Sequence, residues 1–200
     1  AQGEYLLFLN NDVEIITENW LEEMLQLCQQ KDVGMVGAKL YYPDDTIQHA
    51  GVVVGLGGVA AHVLCKLPRD AEGYMGRLRC VQEISAVTAA CMMVKTSVFK
   101  AVGGFDEELK VAFNDIDLCM KVRKYGVKIV FTPYAELYHY ESKSRGMEDT
   151  PEKQLRFSRE VNCFRRKWER ELLKGDPYYN PNLTLNNTDC SLRKQEKNGD

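Results

Sequence analysis

Short apolar runs alternate along this chain with segments of helical periodicity, and this alternation limits the possible folds more than any other feature. The first apolar run is Tyr5–Leu9, and a second covers residues 33–40. Between them, Trp20, Met24 and Cys28 recur at the spacing of one helix face. Strands that alternate with helices in this way predict an α/β fold, in which a sheet is covered by helices.

The same patterns divide the rest of the chain. Asn19 is expected to cap the first helix and Gly126 to end a later one. We expect one domain over residues 1–175 and a polar carboxyl-terminal tail over 176–200, frayed from Asn180 onward. The other predicted elements are a strand over 47–55, a long loop over 60–79, one or two strands over 81–94, helices over 96–103 and 115–125, a strand over 128–131 that ends before Pro133, and a helix over 152–173.

Composition argues against several classes of protein. A formal net charge of -3 does not suit a general nucleic-acid binder, which normally carries a strongly basic face. The longest nearly uninterrupted apolar stretch, residues 86–94, is about half the length that spans a bilayer. The 7 cysteines are odd in number and include no C-x-x-C pair. This usage fits a reducing cytoplasm better than a disulfide scaffold, and it argues against a zinc site.

The first apolar run ends in Asn10-Asn11-Asp12. In α/β proteins, the carboxyl ends of buried strands open into the crevice where ligands bind. A carboxylate at that place can hold a divalent cation, and the cation can neutralise a diphosphate. The same residue types are also common in a plain turn, so both interpretations stay open on these residues alone.

Further motifs follow downstream in a fixed order. They are Gly103-Gly104-Phe105-Asp106-Glu107, Asn114-Asp115-Ile116-Asp117-Leu118-Cys119, and His139 within Leu137-Tyr138-His139-Tyr140-Glu141-Ser142. With residues 10–12, they resemble inverting family 2 glycosyltransferases of the GT-A fold, above all the bacterial rhamnosyltransferase and O-antigen type. The resemblance covers residues 3–183 and includes Asp176-Pro177-Tyr178-Tyr179-Asn180-Pro181-Asn182. It implies a mixed sheet flanked by helices that binds a nucleotide-diphospho-sugar donor.

The resemblance implies which residues hold the metal and act as the base. The D-x-D motif of the family corresponds to residues 10–12, where only Asp12 keeps a carboxylate. Asp12 is therefore the expected ligand of Mg²⁺ or Mn²⁺, with Asn10 and Asn11 near the donor. Asp115 matches the catalytic base, and Asn114 stands where the family most often has glutamate. Because Asp115 opens a predicted helix, a role in capping that helix stays open beside the catalytic one.

The histidines receive unequal support from the resemblance. His139 matches a histidine of the family that reaches the metal or the diphosphate, and a neutral imidazole is a competent ligand for Mn²⁺. A lone histidine between two tyrosines can equally be a packed residue, so that interpretation remains. The sequence suggests no partner for His49 or His62.

Four further residues are implied to contact substrates. Thr88 and Ala89 match a stretch of small residues beneath the donor sugar, although such residues are also ordinary in strands. Asp106 borders the acceptor pocket in the family, and Arg145 can clamp a phosphate.

The family domain begins with βαβ units that hold the nucleotide base and ribose, and they precede the metal-bearing strand. The resemblance therefore implies a carboxyl-terminal portion of that domain, which lacks those units and is inactive alone. We expect a sheet edge and apolar surface to be uncovered, which favours self-association.

The parent protein is expected to build bacterial surface polysaccharide in the cytoplasm, at the inner face of the membrane, on a glycan or lipid-linked acceptor. The basic arm over residues 141–175 is either a solvated helix face or an approach surface for anionic lipid-linked acceptors.

Two other classes of function stay open. One is a non-catalytic glycan-binding or scaffolding domain, which the replacements at Asn10 and Asn114 favour. The other is a nucleotidyltransferase on a similar core, which would use a metal-bound diphosphate but would not need a base at Asp115.

Overall fold

The computed structural model describes residues 1–140 and 150–194. In chain order its elements are β1 (Tyr5–Leu9), β2 (Val13–Ile15), α1 (Trp20–Cys28), β3 (Val33–Tyr41), β4 (Ile47–His49), β5 (Val52–Val54), β6 (Ala60–His62), β7 (Gln82–Glu83), β8 (Cys91–Lys95), α2 (Thr96–Ala101), α3 (Asn114–Tyr125), β9 (Lys128–His139), α4 (Pro151–Lys167) and α5 (Glu169–Lys174). Single 3-10 turns lie at Leu56–Gly58 and Tyr74–Gly76.

A mixed sheet forms the centre of the domain. Its strands run in the order β1-β8-β3-β9-β2, with β4 added to β3 and β7 added to β9. β3 and β9 are parallel, whereas β8 runs antiparallel to both β1 and β3. β5 and β6 form a separate hairpin. The predicted α/β architecture, a mixed sheet flanked by helices, is confirmed.

Apolar clusters lie on both faces of the sheet. Successive residues of a strand point to opposite faces, and β3 accordingly gives Met35 to one cluster and Val36 to the other. α1 buries Met24 and Cys28 with Val36, while α3 buries Leu118 with Met35. Within residues 1–140 and 150–194, none of the helices is long and apolar enough to cross a membrane.

Two predicted strands have different bounds in the structure. The strand predicted over 47–55 is broken into β4 and β5, because Gly51 between them adopts a φ of 103°. The strand predicted to end before Pro133 instead continues to His139. Its register against β3 shifts between Gly37 and Lys39, and this irregularity accommodates a proline that has no N–H to donate to the ladder.

Two predicted helix features and one loop also differ. The helix predicted over 152–173 is interrupted at Trp168, between α4 and α5. Asn19 makes no capping hydrogen bond at the start of α1, since its amide donates to the Glu23 carboxylate at 3.1 Å. The loop predicted over 60–79 contains β6.

Residues 176–194, called the C-terminal segment below, pack against the domain. Asp176 accepts a hydrogen bond from the Val54 main-chain N–H at 2.7 Å, which ties the start of the segment to β5. Leu183 and Cys190 are buried at 2% and 6% exposure. The expectation that the chain frays from Asn180 onward is therefore wrong for the residues that the structure describes.

β1 lies at an edge of the sheet. Within the described residues its ladder partner is β8 alone. Leu7 and Leu9 of β1 are exposed at 37% and 41%. An edge strand with free hydrogen-bonding groups and apolar side chains is a surface that can pair with another strand. The predicted exposed edge is thus present, and self-association through it stays a prediction.

Candidate functional site

Distant parts of the chain meet beyond the carboxyl ends of β1 and β9. After β1, the Asn10 main-chain N–H donates to the Ala90 carbonyl at 3.0 Å, just before β8 begins. β2 then pairs with the end of β9, and Val13 lies opposite His139. This register sets Asp12 beside His139, although the two residues are far apart in the sequence.

Asp12, His139 and Asn10 make direct contacts. His139 Nε2 lies 3.3 Å from Asp12 Oδ1 and 3.0 Å from Asn10 Nδ2. The Asp12 and His139 side chains are largely buried, at 13% and 11% exposure. The structure therefore brings together the two predicted metal ligands and one predicted donor contact.

The tautomer of His139 decides what its Nε2 atom can do. His139 Nδ1 lies 2.7 Å from Oε1 of Gln48, an oxygen that only accepts, so Nδ1 carries the hydrogen of the neutral imidazole. Nε2 then presents a lone pair, which accepts from Asn10 Nδ2. In this neutral tautomer, the contact between Nε2 and Asp12 Oδ1 joins two acceptors, and Oδ1 has no hydrogen-bond partner among the described residues.

A cation fits this arrangement. A buried carboxylate oxygen without a donor is costly, and a positive charge shared with an adjacent lone pair removes that cost. Carboxylate and imidazole groups suit Mn²⁺, and carboxylates suit Mg²⁺. Within residues 1–140 and 150–194, no group of three or more His, Cys, Asp or Glu is arranged to hold a metal. Asp12 and His139 would thus supply two ligands, and a bound substrate or water would have to complete the coordination of a divalent cation.

Asp115 lies in the first turn of α3 and is half-buried. Its Oδ2 accepts from the Ala89 main-chain N–H at 3.1 Å, and its Oδ1 accepts from the Ile116 N–H at 2.8 Å. Asn114 Oδ1 accepts from the Asp115 N–H at 2.7 Å. The bond to Ile116 satisfies a free N–H at the helix start, and each carboxylate oxygen keeps a further lone pair. The capping role and a role as base are thus compatible.

The loop before α3 is held by a carboxylate that the sequence did not reveal. Glu160 of α4 is 3% exposed and accepts from the main-chain N–H groups of Lys110, Val111 and Ala112, at 3.1, 3.2 and 2.9 Å. The chain then enters α3 through a left-handed residue with a φ of 63°. Glu160 lies one turn before the buried Phe164, so its place on the inner face of α4 was the available signal.

A cavity of about 310 Å³ opens beside His139. Thr88 lines it, as does Thr188 of the C-terminal segment. The Thr188 carbonyl accepts from the Leu64 N–H at 2.6 Å, which holds the segment against the neighbouring loop. Small pockets with a few polar groups are typical ligand sites, and these groups suit a hydroxyl-rich ligand. The other lining residues are Tyr42, Gln48, Ala61, His62 and Cys65.

The three histidines of the chain lie near one another. The sequence suggested no partner for His49 or His62. His49 Nδ1 lies 3.1 Å from His62 Nδ1, which in turn lies 3.2 Å from the Gln48 carbonyl. Burial, and then the nearby His62 and His139, hold the pKa of His49 well below its usual 6.5. The contact between His49 and His62 forms because β4 lies near the β5–β6 hairpin. A single sequence does not reveal this arrangement.

The remaining predicted site residues are Asp106, Asn11 and Arg145. Asp106 Oδ2 lies 2.5 Å from Lys167 Nζ, and its Oδ1 accepts from the Glu108 N–H at 3.0 Å. The hydrogen bond from Lys167 lowers the pKa of Asp106. Asn11 is exposed in the turn between β1 and β2, and Arg145 lies outside the described residues. Contacts of these residues with a sugar nucleotide or acceptor stay predictions.

The fold is shared with solved glycosyltransferases. The chain aligns over 86% of its length with 33% of GalNAc-T7 in complex with UDP, GalNAc and Mn²⁺, at a TM-score of 0.59 and 14% identity. It also aligns over 85% of its length with 40% of the mannosyltransferase PcManGT from Pyrobaculum calidifontis in complex with GDP-Man and Mn²⁺, at a TM-score of 0.52 and 15% identity. The fold is thus GT-A-like, the architecture of a class of glycosyltransferases.

The sequence comparison places the chain within a family. The model of a glycosyltransferase-like family matches residues 1–160, and the chain belongs to that family. It is 56% identical over 193 residues to the uncharacterized protein y4gI of Sinorhizobium fredii, a match that covers 96% of this chain and 21% of that protein. It is 41% identical over 201 residues to the O-antigen biosynthesis protein RfbC of Myxococcus xanthus, covering 100% of this chain and 15% of that protein. The chain thus spans about a fifth or less of the length of these relatives.

Proposed function

We propose that this domain takes part in an inverting glycosyl transfer from a nucleotide-diphospho-sugar to a glycan or lipid-linked acceptor in bacterial surface polysaccharide synthesis. The observation that carries the proposal is Asp12 Oδ1, a buried acceptor without a hydrogen-bond donor that lies 3.3 Å from His139 Nε2, where a cation would be held between the two residues. Family membership and the O-antigen relative support the choice of reaction and pathway class.

Asp12 and His139 are the residues that would hold Mg²⁺ or Mn²⁺, with Asn10 beside them. When bound, the cation supplies positive charge that offsets the negative charge of a departing diphosphate. Solved structures of the same fold with Mn²⁺ and nucleotide-containing ligands are consistent with this proposal. Asn10 donates to this same Nε2 lone pair, so its amide would have to turn away when the cation binds, which would leave its oxygen for the donor or the cation.

Asp115 is the proposed base, which takes the proton of the acceptor hydroxyl as the new glycosidic bond forms. Its hydrogen bonds from Ala89 and Ile116 fix the direction of the carboxylate, so little reorientation is needed in the reaction. Ala89 belongs to the small-residue stretch proposed to lie beneath the donor sugar. Asp115 is thereby tied directly to the proposed donor site.

The other assignments complete the proposed substrate contacts. Thr88 lines the cavity beside His139 and is proposed to face the donor sugar. Asn11, Asn114, Asp106 and Arg145 are proposed to contact donor or acceptor. The seven cysteines are all free, in keeping with a proposed location in the reducing cytoplasm at the inner face of the membrane.

The metal assignment is tested by Mn²⁺ titration of the 200-residue chain, with calorimetry and electron paramagnetic resonance as readouts. Asp12→Asn keeps the side-chain volume and removes the charge, so Mn²⁺ affinity should fall by at least roughly tenfold. Glu18→Gln is the matched control, because it removes the same negative charge at an exposed position. It should leave the Mn²⁺ affinity unchanged. Equal affinity of Asp12→Asn and wild type would refute the assignment.

The reaction is tested in the protein that carries the domain, with a panel of UDP-, GDP- and dTDP-sugars. Asp12→Asn should abolish metal-stimulated transfer, and proton NMR of the first-formed product should show an inverted anomeric configuration. A retained configuration would contradict the single-displacement reaction. Metal binding without sugar transfer to any acceptor would favour a glycan-binding domain.

A further inference from the structure

Gln48 makes two hydrogen bonds to a single distant residue, His139. Its amide Oε1 lies 2.7 Å from His139 Nδ1, and its Nε2 donates to the His139 main-chain carbonyl at 3.1 Å. Gln48 as a whole is only 4% exposed. Both polar ends of a buried amide are therefore used on one histidine, its ring and its backbone together.

A bulge in the sheet places Gln48 for this contact. In the pairing of β4 with β3, His49 lies opposite Leu40 and Ile47 lies opposite Tyr41, so Gln48 is an extra residue without a partner in the ladder. Bulges redirect a side chain away from the regular alternation and are frequent beside active sites. β3 also pairs with β9 through Leu40 and Tyr41, which brings β4 near the strand that ends at His139.

The two bonds fix the orientation of both side chains. If the Gln48 amide were reversed, its oxygen would face the His139 carbonyl and two acceptors would meet. The amide therefore presents Oε1 to the ring, and the imidazole must carry its hydrogen on Nδ1. The single lone pair of Nε2 then accepts from Asn10 and lies beside Asp12, and it becomes available to a cation when the Asn10 amide turns away. A different tautomer would place a hydrogen on Nε2 and let it donate to Asp12 Oδ1.

We infer that Gln48 is a positioning residue, which holds His139 in the Nδ1–H tautomer and so presents its Nε2 lone pair, with Asp12, to a divalent cation. The inference rests on the proposed function for the cation. The tautomer can nevertheless be tested independently of metal binding, because it is a property of the metal-free protein. Residues that hydrogen-bond to a metal-binding histidine typically change metal affinity by about 10–100-fold when they are replaced.

The first experiment measures the tautomer of His139 in the metal-free chain by long-range proton–nitrogen-15 NMR. The chain has 3 histidines, and single substitutions assign their signals. Wild type should show the Nδ1–H form. Gln48→Leu removes both hydrogen bonds and should shift His139 to a mixture or to the Nε2–H form, in which Nε2 donates to Asp12. An unchanged tautomer in Gln48→Leu would overturn the inference.

The second experiment measures Mn²⁺ affinity by calorimetry. Gln48→Leu should weaken binding by about 10–100-fold. Gln48→Glu keeps an acceptor for Nδ1–H but sets its second oxygen against the His139 carbonyl, so it should keep the Nδ1–H tautomer and recover only part of the affinity. The matched control is Gln82→Leu, which removes a partly buried amide that donates to the Arg77 carbonyl at 2.6 Å. Gln82→Leu should change neither the His139 tautomer nor the Mn²⁺ affinity.

The outcomes separate the inference from the function it rests on. If wild type binds no Mn²⁺ but the tautomer shifts in Gln48→Leu, the proposed metal fails while the hold of Gln48 on His139 stands. If wild type binds Mn²⁺ and Gln48→Leu binds it equally well, the metal stands and the positioning role is overturned. Thermal unfolding of each variant identifies any that do not fold, and for those the tautomer of the wild type decides, since an Nε2–H form there would overturn the inference.

Discussion

The Glu160 carboxylate offers a sharp test of how the loop before α3 is held. Glu160→Gln changes one oxygen to an NH2 group and removes the negative charge, with almost no change of volume. One of the two terminal atoms then meets a main-chain N–H as a donor, either that of Ala112 or those of Lys110 and Val111. The substitution therefore breaks at least one bond and leaves the others with a neutral acceptor.

The size of the effect follows from these bonds. A hydrogen bond to a charged acceptor contributes about 1.5–3 kcal/mol and a neutral one about 0.5–1.5 kcal/mol. Losing one charged bond and weakening two others amounts to roughly 4 kcal/mol. The loss of the ion pair with Arg156 at 3.8 Å adds to this, and relief from burying a charge offsets part of it. The net loss in the free energy of unfolding should be about 2–3 kcal/mol. For a domain of this length, it corresponds to a decrease in Tm of roughly 4–12 °C.

Urea and thermal unfolding of wild type and Glu160→Gln, followed by circular dichroism, measure this difference. Glu107→Gln is the control, since it removes the same charge from an exposed position in the loop that Glu160 holds. Hydrogen exchange of the amides over residues 110–112 should become faster only in Glu160→Gln. If both variants lose less than about 0.5 kcal/mol and exchange as wild type does, the carboxylate does not hold the loop as described.

Three further predictions concern the site and its surroundings. Asp115→Asn should lower kcat by at least roughly a hundredfold and Tm by only about 2–4 °C, as expected for a lost helix cap; a kcat decrease of only a few-fold would leave the capping role alone. Because the pKa of His49 is lowered in the fold, the unfolded chain binds a proton first, and stability should fall as pH decreases below 6.5; denaturation of His49→Gln between pH 7 and 5 should show a smaller slope, and an equal slope would refute the cause. Thr188→Leu should narrow the cavity beside His139 and raise the KM for the sugar nucleotide roughly tenfold or more with Mn²⁺ affinity unchanged; an unchanged KM would place the donor elsewhere.

The sequence predicted elements well where burial imposes a period. α3 begins and ends within a residue of the prediction, and α1 begins directly after Asn19, since their apolar residues recur on one face. β9 was predicted too short because Pro133 normally ends a strand, and the irregularity against β3 that tolerates it depends on a distant neighbour. Local patterns carry the period, whereas register against a remote strand depends on the assembled sheet.

In the candidate site, too, some residues could be proposed from local motifs, whereas their contacts depend on the assembled fold. Asp12, Asp115 and His139 were proposed from their motifs, and they remain predictions as site residues, but the contact of Asp12 with His139 depends on the pairing of β2 with β9. Gln48 and Glu160 carry no motif, because each is a buried polar residue whose side chain is hydrogen-bonded to groups at least 48 positions away in the chain. The ordinary rule that such residues are exposed points away from them.

The C-terminal segment has a consequence for how members of this family can diverge. The family model ends at residue 160, yet Thr188 lines the cavity beside His139. The cavity is therefore walled by two parts of the chain, one within the matched region and one beyond it. A substitution at Thr188 can change the shape of this cavity without replacing Asp12, Asp115 or His139.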